Sequence, residues 1–394
     1  MKKVAVVGAG ITGICAAYYL VRAGYKVTVY DAERYPAMQT SFANGGQVSV
    51  SNSEVWNTWS NVFKGIKWMF KKDAPLLIKP SFEWARIKWM LKFLLVTVQG
   101  QSDRHTAKTI QLGMEARALY KEIIEEESVE FDQAYDGILH FYKSDSYFMN
   151  AVNVAELYTA NGCEWDLLSD IETTAKDPAL SSIQGVVGGA WTAGDWTGDI
   201  HKFCTQLARV LVEKYSVEFK FNTKVDACTD MSMHDIIVVS NGVGSTALAK
   251  TIGDRIDVYP VKGYSITITL SEEDMQYVPK VSLLDDEAKI VTSTLGNRFR
   301  IAGTAELAGE NYDISRARIA PLLNWVHTNF PKLNTSNYTH WACLRPMTPD
   351  MMPIIKQSKR DIRVFYHTGH GHLGWTVSPA TAKKLVNLIE RRSQ

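Results

Sequence analysis

The order of apolar and polar positions divides the start of the chain into strand-like and helix-like segments. A β-branched run at 3–7 leads into apolar residues at helical spacing, among them Ala16 and Leu20, which end at Gly24. A second β-branched run follows at 27–30. Short apolar runs indicate buried strands, and apolar residues three or four apart indicate a helix. The pattern therefore predicts a β-α-β unit at the start of the chain.

The rest of the pattern predicts a second kind of sheet. Helices are expected over 104–127 and 147–161, from about His201, and over about Pro379–Arg391, with strands within 131–142 and at 186–191, 217–221 and 235–241. The segment 258–306 alternates as an antiparallel sheet does. We predict an α/β fold in which a Rossmann-type dinucleotide-binding domain is interrupted by a mostly antiparallel α+β substrate domain. The predicted domain ranges are 1–55, 197–250 and 335–394 for the first domain, and 56–196 and 251–334 for the second.

Three glycines lie at the first strand-to-helix junction with the spacing G-x-G-x-x-G. Gly8 allows a tight turn, Gly10 lets the backbone approach a pyrophosphate, and Gly13 lets the helix pack close to the strand. Asp31 follows 23 residues after Gly8, where a carboxylate binds a ribose 2′-hydroxyl and repels a 2′-phosphate. The site suits FAD or NAD and not NADP. The expected contact residues are Gly8, Gly10, Ile11, Thr12, Gly13, Asp31 and Ala32.

Two further turns are candidates for the same cofactor. In the loop 41–47, adjacent glycines leave the backbone accessible, and Ser41, Asn44 and Gln47 add polar groups. The alternative is an ordinary surface loop. The strand at 235–241 ends in a small-residue turn that fits a continuation of the first sheet. From these segments, and from the short stretch 223–225 that precedes the strand, we expect Ser41, Asn44, Gly45, Gly46, Gln47, Val225, Asn241 and Gly242 to bind the cofactor.

The glycine-rich turn 368–375 opens the final helix. A flavin needs a positive environment at its N1/C2=O edge when it is reduced, and backbone amides at a helix start supply one. The alternative is a helix start with packed His and Trp side chains. The three histidines of the turn lack carboxylate or thiolate partners, which argues against a metal. The residues assigned to the cofactor here are Gly369, His370, Gly371, His372, Leu373, Gly374, Trp375 and Thr376.

Arg345 is the candidate for substrate binding. It precedes a proline in an otherwise apolar segment. A guanidinium in such a setting suits bidentate binding of a carboxylate. The alternative is a structural ion pair with a nearby Asp.

Composition narrows the class of protein and of partner. The 394 residues include 43 basic and 42 acidic side chains, for a net charge of +1, so no overall field favours nucleic acid. Five scattered cysteines without a C-x-x-C pair argue against a disulfide framework or a zinc site and favour a reducing compartment. No signal peptide precedes the first strand, and no apolar run reaches the roughly 18 residues of a spanning helix. We expect a cytoplasmic protein that has small-molecule partners and no transmembrane helix.

The segment 56–100 is rich in tryptophan and lysine. It holds five of the eleven tryptophans and reads as two amphipathic helices separated by a turn at 73–80. Aromatic rings and ammonium groups on such helices suit the lipid headgroup region. The alternative is a helical layer of the substrate domain, with aromatic residues in the core and lysines in solvent.

Five motifs resemble those of the D-amino-acid dehydrogenase family, which comprises FAD-bearing bacterial relatives of glycine oxidase and D-amino-acid oxidase. They are GAGITG at 8–13, SFANGGQ at 41–47, PVKGYS at 260–265, LRPMTPD at 344–350 and HTGHGHLGW at 367–375. The resemblance covers nearly the whole chain. It implies FAD as cofactor and oxidative deamination of D-amino acids to 2-oxo acids and ammonia. It also implies electron transfer to a quinone or another respiratory acceptor, which strengthens the case for peripheral association of 56–100 with the inner face of the cell membrane.

The same resemblance implies roles for individual residues. Arg345 matches the arginine that binds the substrate carboxylate in the related oxidases, and Gln47, Tyr264 and His370 are implied to line the pocket. The sequence departs from the family near 287–289, where relatives often carry a tyrosine. Three other functions stay open: a glycine or sarcosine-type oxidase, a dehydrogenase for a cyclic imino acid such as D-hydroxyproline, and a non-catalytic flavin subunit that relays electrons.

Overall fold

The computed structural model describes residues 1–68, 75–78 and 82–393. Within these residues the helices are α1 (Ile11–Arg22), α2 (Trp59–Trp68), α3 (Trp84–Val98), α4 (Ser102–Glu127), α5 (Asp145–Ala160), α6 (Asp170–Ala175), α7 (Ile200–Glu213), α8 (Ser245–Thr251), α9 (Arg316–Asn329) and α10 (Gly374–Ser393). The strands are β1 (Lys3–Val7), β2 (Lys26–Tyr30), β3 (Gln47–Val48), β4 (Leu76–Ile78), β5 (Ile138–Tyr142), β6 (Asp166–Ser169), β7 (Gly188–Thr192), β8 (Trp196–Thr197), β9 (Glu218–Lys220), β10 (Ile236–Val239), β11 (Tyr259–Thr269), β12 (Ser282–Asp285), β13 (Ile290–Leu295), β14 (Arg298–Leu307), β15 (Tyr338–Met347), β16 (Ile354–Gln357) and β17 (Val364–Thr368).

The predicted β-α-β opening lies at the centre of a six-stranded sheet with the order β16-β17-β10-β1-β2-β9. Its strands pair in parallel except for β16, which runs antiparallel to β17. Because β1 and β10 are neighbours, the turns after Val7 and Val239 meet at one edge of the sheet. This is the edge where open α/β sheets bind ligands.

Burial on both faces explains the continuous apolar run of β1. Val4 and Val6 pack with Ile14 of α1 in one core, whereas Ala5 and Val7 belong to a second core on the opposite face. A parallel strand covered on both sides needs no polar alternation. The predicted strand, helix and strand are therefore confirmed.

The second sheet has nine strands and is mostly antiparallel, as predicted. Its order is β15-β11-β14-β13-β12-β5-β7-β6, with β4 paired to β14. The pairs β5–β12 and β4–β14 are parallel. One face is apolar, where Tyr264, Ile266 and Ile268 of β11 share a core with Leu322 and Val326 of α9. Strands β3 and β8 form a separate two-stranded ribbon.

Two elements depart from the predicted domain ranges. The strands of the six-stranded sheet all lie in 1–55, 197–250 and 335–394, but β15 also lies in the last range and pairs with β11 of the second sheet. Helix α4 was assigned to the substrate domain, yet its Tyr120 and Ile123 pack in the first core. Both assignments are corrected, because an apolar pattern does not reveal which sheet or core an element joins.

The last helix begins five residues earlier than predicted. Helix α10 starts at Gly374 and contains Pro379. A proline inside a helix cannot donate to the carbonyl four residues before it, here that of Trp375. The Tyr120 hydroxyl donates a hydrogen bond to that carbonyl at 2.5 Å. The missing bond is replaced from α4, so the helix continues through the proline.

The tryptophan- and lysine-rich segment forms the two predicted helices, α2 and α3, with β4 between them. Residues 69–74 and 79–81, which include Phe70, Lys71, Lys72, Asp73, Lys79 and Pro80, lie outside the described residues. In the described part of the chain, no helix is both long enough and apolar enough to cross a membrane.

Candidate active site

The glycine turn between β1 and α1 has the geometry that a pyrophosphate needs. Gly8 has φ +106°, and a Cβ there would lie 2.6 Å from the Ser240 carbonyl oxygen. A Cβ on Gly13 would lie 1.8 Å from the carbonyl oxygen of Gly8, so the helix packs directly on the turn. At Gly10 the nearest protein atom would be Ser41 Oγ, 3.4 Å away. The protein therefore fills the space beside Gly8 and Gly13 and leaves space beside Gly10.

Two carboxylates lie after β2, beside this turn, where the ribose is predicted to bind. Asp31 accepts hydrogen bonds from the backbone N–H groups of Ala9 and Glu33. Burial raises the pKa of Asp31, while these two donors oppose the shift. Glu33, which is not among the predicted site residues, lines the same cavity. The sequence feature that could have indicated Glu33 is its position two residues after Asp31, just beyond the end of β2.

One cavity of about 1150 Å³ runs from this turn to the second sheet. It extends past the small turn after β10, the loop 39–49 and the C-terminal turn, and reaches β11, β14 and β15. A dinucleotide fits this shape because glycine turns and helix starts line it at both ends. The cavity brings residues that are more than three hundred positions apart in the sequence to one site.

Most of the predicted site residues line this cavity. They are Gly8, Gly10, Ile11, Thr12, Asp31, Ala32, Ser41, Asn44, Gly45, Gln47, Val225, Asn241, Gly242, Tyr264, Arg345, His370, Gly371, His372, Leu373, Gly374, Trp375 and Thr376. Gly13, Gly46 and Gly369 do not line it. Gly46 and Gly369 have φ of +74° and +73°, and a Cβ on them would approach Ser293 and Thr348. These three glycines therefore pack against the protein and allow the turns to form without lining the cavity.

Arg345 lies where β15 faces the cavity. One of its guanidinium nitrogens donates a 3.0 Å hydrogen bond to the Thr304 carbonyl. Burial lowers the pKa of Arg345 from its ordinary value, and the nearby Cys343 thiol opposes this shift. Among the described residues no carboxylate lies within 4.0 Å of its guanidinium. The alternative of a structural ion pair with Asp therefore finds no support in the described chain.

Each of the other three predicted pocket residues forms a hydrogen bond with another side chain of the protein. Gln47 donates to Ser282 Oγ at 2.7 Å, and the Tyr264 hydroxyl donates to Glu306 at 2.6 Å. His370 Nε2 lies 3.0 Å from Thr381 Oγ1. All three line the cavity, but these side chains are held by partners on the far side.

Burial lowers the pKa values of the three histidines in the C-terminal turn. Burial, together with the nearby charge of Arg345, lowers the pKa of His372 to about 4. Burial also lowers the pKa of His367 to about 3 and that of His370 well below its ordinary value. The His372 ring stacks on Trp56 with centroids 5.0 Å apart. In the described residues, no group of three or more His, Cys, Asp or Glu is arranged to hold a metal ion.

A charged pair that the sequence analysis missed lies at the same cavity. Asp286 and Lys289 form an ion pair of 3.2 Å in the turn between β12 and β13, and both line the cavity. Burial alone would raise the pKa of Asp286, but Lys289 and His140 outweigh it and lower the pKa. No local pattern in the sequence indicates this pair, because only the strand pairing brings the turn to the site.

Helix α2 forms part of the cavity wall. Asn61, Val62, Gly65 and Ile66 line the cavity, and the ammonium of Lys64 lies 4.3 Å from the centre of the Tyr147 ring. On α3, Lys88 and Lys92 both form ion pairs with Asp257. Lys64, Lys88 and Lys92, three of the lysines expected to face lipid, therefore contact other side chains of the protein.

Large apolar side chains on α2 and α3 are nevertheless exposed. They are Trp59, Phe63, Ile66, Trp84, Leu91, Leu94, Leu95 and Val98, between 36% and 66% accessible to solvent. Trp89, in contrast, is buried and donates a hydrogen bond to the Met347 carbonyl. The segment thus combines anchoring residues with an exposed apolar surface.

Comparison with known proteins agrees with this geometry. Residues 3–388 match the model of the DAO family, described as FAD dependent oxidoreductase. The chain is 44% identical to D-amino acid dehydrogenase 3 of Mesorhizobium japonicum over 99% of this chain and 97% of the relative. It is 35% identical to D-amino acid dehydrogenase of Paramagnetospirillum magneticum over 99% and 95% of the two chains.

Solved structures share the fold at low identity. Glycine oxidase from Bacillus cereus is similar with a TM-score of 0.75 and 18% identity, covering 100% of this chain and 96% of that one. L-proline dehydrogenase from P. horikoshii has a TM-score of 0.75 and 14% identity, covering 99% and 93%. The predicted fold class and the predicted cofactor are confirmed. The chain belongs to the DAO family of FAD-dependent oxidoreductases.

Proposed function

We propose that this enzyme oxidises D-amino acids to 2-oxo acids and ammonia. The observation that carries the proposal is Arg345, a partly buried cation that lines the FAD cavity and whose described surroundings supply no carboxylate. The full-length relatives named D-amino acid dehydrogenase support the same substrate class.

A carboxylate substrate supplies what the Arg345 site lacks. Of the guanidinium's five N–H donors, one is used by the Thr304 carbonyl, so a planar carboxylate can be held by two of the others. Bringing an anion to a desolvated cation also offsets the cost of its burial. Binding at Arg345 orients the α-carbon of the amino acid within the cavity.

FAD, when bound, supplies the hydride acceptor for the α-hydrogen. The residues that would hold it are the glycine turn at 8–13, Asp31, the loop 41–47 and the C-terminal turn. Water then hydrolyses the resulting imino acid to the 2-oxo acid and ammonia. A neutral amine supplies its own electron pair for this oxidation, so no protein base is required. The Tyr264 hydroxyl is already engaged with Glu306, which agrees with this. His370 Nε2 is paired with Thr381, whereas its Nδ1 is buried without a hydrogen-bond partner.

Product analysis tests this reaction. With D-alanine and an artificial electron acceptor, we expect pyruvate and ammonia in equal amounts and little hydrogen peroxide in air. Stoichiometric peroxide would replace the dehydrogenase by an oxidase of the glycine or sarcosine type. A faster reaction with D-hydroxyproline than with any primary D-amino acid would favour the cyclic imino acid alternative.

We also propose that electrons pass to a membrane quinone and that the exposed apolar surface of α2 and α3 docks on the bilayer. This surface adjoins the cavity wall, so docking would bring the acceptor close to the cofactor. Trp59 and Trp84 suit the interfacial region, and Lys67 supplies positive charge beside them.

Vesicle sedimentation tests the docking. We expect the enzyme to bind vesicles of anionic phospholipid and the double variant Phe63→Ser/Leu95→Ser to bind at least fivefold less. Ile171→Ser is the matched control, because Ile171 is 74% exposed on α6, outside this surface. Wild-type enzyme that ignores anionic vesicles would leave α2 and α3 as a lid over the cavity and would refute the docking.

A further inference from the structure

At position 263, beside Arg345, the structure has room for glycine and not for a residue with a Cβ atom. A Cβ on Gly263 of β11 would lie 2.4 Å from Nη2, 2.5 Å from Cζ and 2.7 Å from Nη1 of Arg345. The φ of Gly263 is outside the left-handed region, so its conformation does not require glycine. Glycine is needed at 263 because the Arg345 guanidinium occupies the space that a Cβ atom would fill.

The strand register explains why the two residues meet. In the β11–β15 ladder, Val261 pairs with Arg345 and Gly263 with Cys343. Gly263 is therefore the diagonal neighbour of Arg345 on the same face of the sheet. The ladder between β11 and β14 is irregular between Lys262 and Tyr264, on either side of Gly263. Such irregularities re-aim side chains and often lie beside active sites.

Thr304 of β14 contacts the same guanidinium. It has φ +59°, a left-handed conformation that β-branched residues rarely adopt. In this conformation its carbonyl accepts the 3.0 Å hydrogen bond from Arg345. The Thr304 hydroxyl is buried without a hydrogen-bond partner, and the residue lines the cavity. A strained residue at the contact with Arg345 indicates a geometry held for function.

We propose that Gly263 and Thr304 form a seat that fixes the Arg345 guanidinium, and that both are positioning residues for the substrate carboxylate. Gly263 gives the guanidinium room to lie flat against β11. The Thr304 carbonyl binds one edge and leaves the remaining donors for the substrate. The proposal rests on the function proposed above and adds two residues that set its substrate affinity.

The variant Gly263→Ala tests the seat in the FAD-bound enzyme. The atoms that must move are the far end of a flexible side chain, so we expect normal FAD content and an unchanged melting temperature. We expect KM for D-alanine to rise at least tenfold while kcat falls less than threefold. Competitive inhibition by the 2-oxo acid product should weaken by a similar factor, because it binds through the same carboxylate.

The chain offers a matched control in Gly194→Ala. A Cβ on Gly194 would lie 2.0 Å from Nη2, 2.5 Å from Cζ and 2.7 Å from Nη1 of Arg117. Arg117 forms ion pairs with Glu164 and Asp195 and does not line the cavity. The same kind of displacement is thus imposed on a different guanidinium, and KM should stay within twofold of the wild-type value.

A double variant separates the seat from the proposed function. Methionine at 345 ends before the guanidinium atoms, so Gly263→Ala should have no further effect on KM in the Arg345→Met background. If Gly263→Ala alone fails to fold, recovery of folding in the double variant supports the seat, and failure of both overturns it. A raised KM in Arg345→Met with a normal KM in Gly263→Ala overturns the seat alone. A normal KM in both variants overturns the function assigned to Arg345 as well.

Discussion

Replacing Arg345 by methionine separates substrate binding from stability. Methionine keeps much of the length and apolar volume of the side chain and removes the charge and its donors. The described surroundings of Arg345 hold no carboxylate, so the change leaves no buried anion without its partner. We therefore expect opposite effects on the free enzyme and on the substrate complex.

The size of the binding loss is estimated by treating the bidentate pair as one charge-assisted contact. Hydrogen bonds to charged groups contribute about 1.5 to 3 kcal/mol. With about 1.4 kcal/mol for each factor of ten, Arg345→Met should lower kcat/KM by about 10- to 150-fold. The fall should be mainly in KM, because ground state and transition state share the carboxylate contact. Arg345→Lys keeps the charge but loses the planar fork, so its loss should be intermediate.

The free enzyme should be at least as stable as the wild type. A cation that is partly removed from water and has no ion-pair partner is costly, whereas an apolar side chain of similar volume is not. The hydrogen bond to the Thr304 carbonyl is lost, at about 0.5 to 1.5 kcal/mol, which limits the gain. We expect a melting temperature equal to or above that of the wild type.

Steady-state kinetics with D-alanine and thermal melts of the FAD-bound protein measure both effects. Arg300→Met is the matched control, because Arg300 is buried on β14 and does not line the cavity, and Asp199 keeps its ion pair with Arg298. An unchanged KM in Arg345→Met would remove Arg345 from the substrate site. A melting temperature more than about 5 °C below the wild type would assign Arg345 a structural role instead.

Three further predictions concern the cofactor turn, the last helix and His372. Gly10→Ala should fold yet lose FAD affinity, because the nearest protein atom to a Cβ there is 3.4 Å away. Gly13→Ala should unfold the turn, because its Cβ would lie 1.8 Å from the Gly8 carbonyl oxygen. The absorbance of bound flavin measures FAD affinity, and circular dichroism measures folding. Tyr120→Phe leaves the Trp375 carbonyl without its donor and should lower the free energy of unfolding in urea by about 1 to 3 kcal/mol; a change below about 0.5 kcal/mol would contradict this. The pKa of His372 is lowered from 6.5 to about 4, so the unfolded chain binds a proton that the folded chain does not, and stability should fall as the pH drops from 6.5 to 4. Melts of His372→Asn should show a shallower fall over that range, and an identical slope would contradict the assignment.

The geometry of the first glycine turn could be predicted from the sequence because the turn is local. The strand, the three glycines, the helix and Asp31 are consecutive, and each is constrained by its immediate neighbours. The structure places them as the pattern indicates, with Gly13 packed on the carbonyl of Gly8. Arg345, singled out as a cation before a proline in an apolar segment, lines the cavity, and its binding of the substrate stays a prediction.

The residues around the substrate end were not predictable in the same way. Gly263, Thr304 and the Asp286–Lys289 pair reach the cavity only through the register of the second sheet, which spans more than two hundred residues of sequence. Apolar alternation indicates which face of a strand is buried, but it does not indicate which strand lies beside it. The start of α10 was misplaced for a related reason, because the donor that replaces the bond lost at Pro379 comes from α4.

The most direct test of the central claim is flavin reduction by substrate in the purified enzyme without oxygen. D-alanine, L-alanine and ethylamine are each mixed anaerobically with the FAD-bound protein, and the loss of flavin absorbance is followed in time. We expect D-alanine to bleach the flavin within the turnover time, L-alanine to react at least a hundredfold more slowly, and ethylamine, which lacks the carboxylate, to react hardly at all. Equal reduction by L-alanine or by ethylamine, or no reduction by any D-amino acid, would contradict a D-amino acid dehydrogenase that holds its substrate through Arg345.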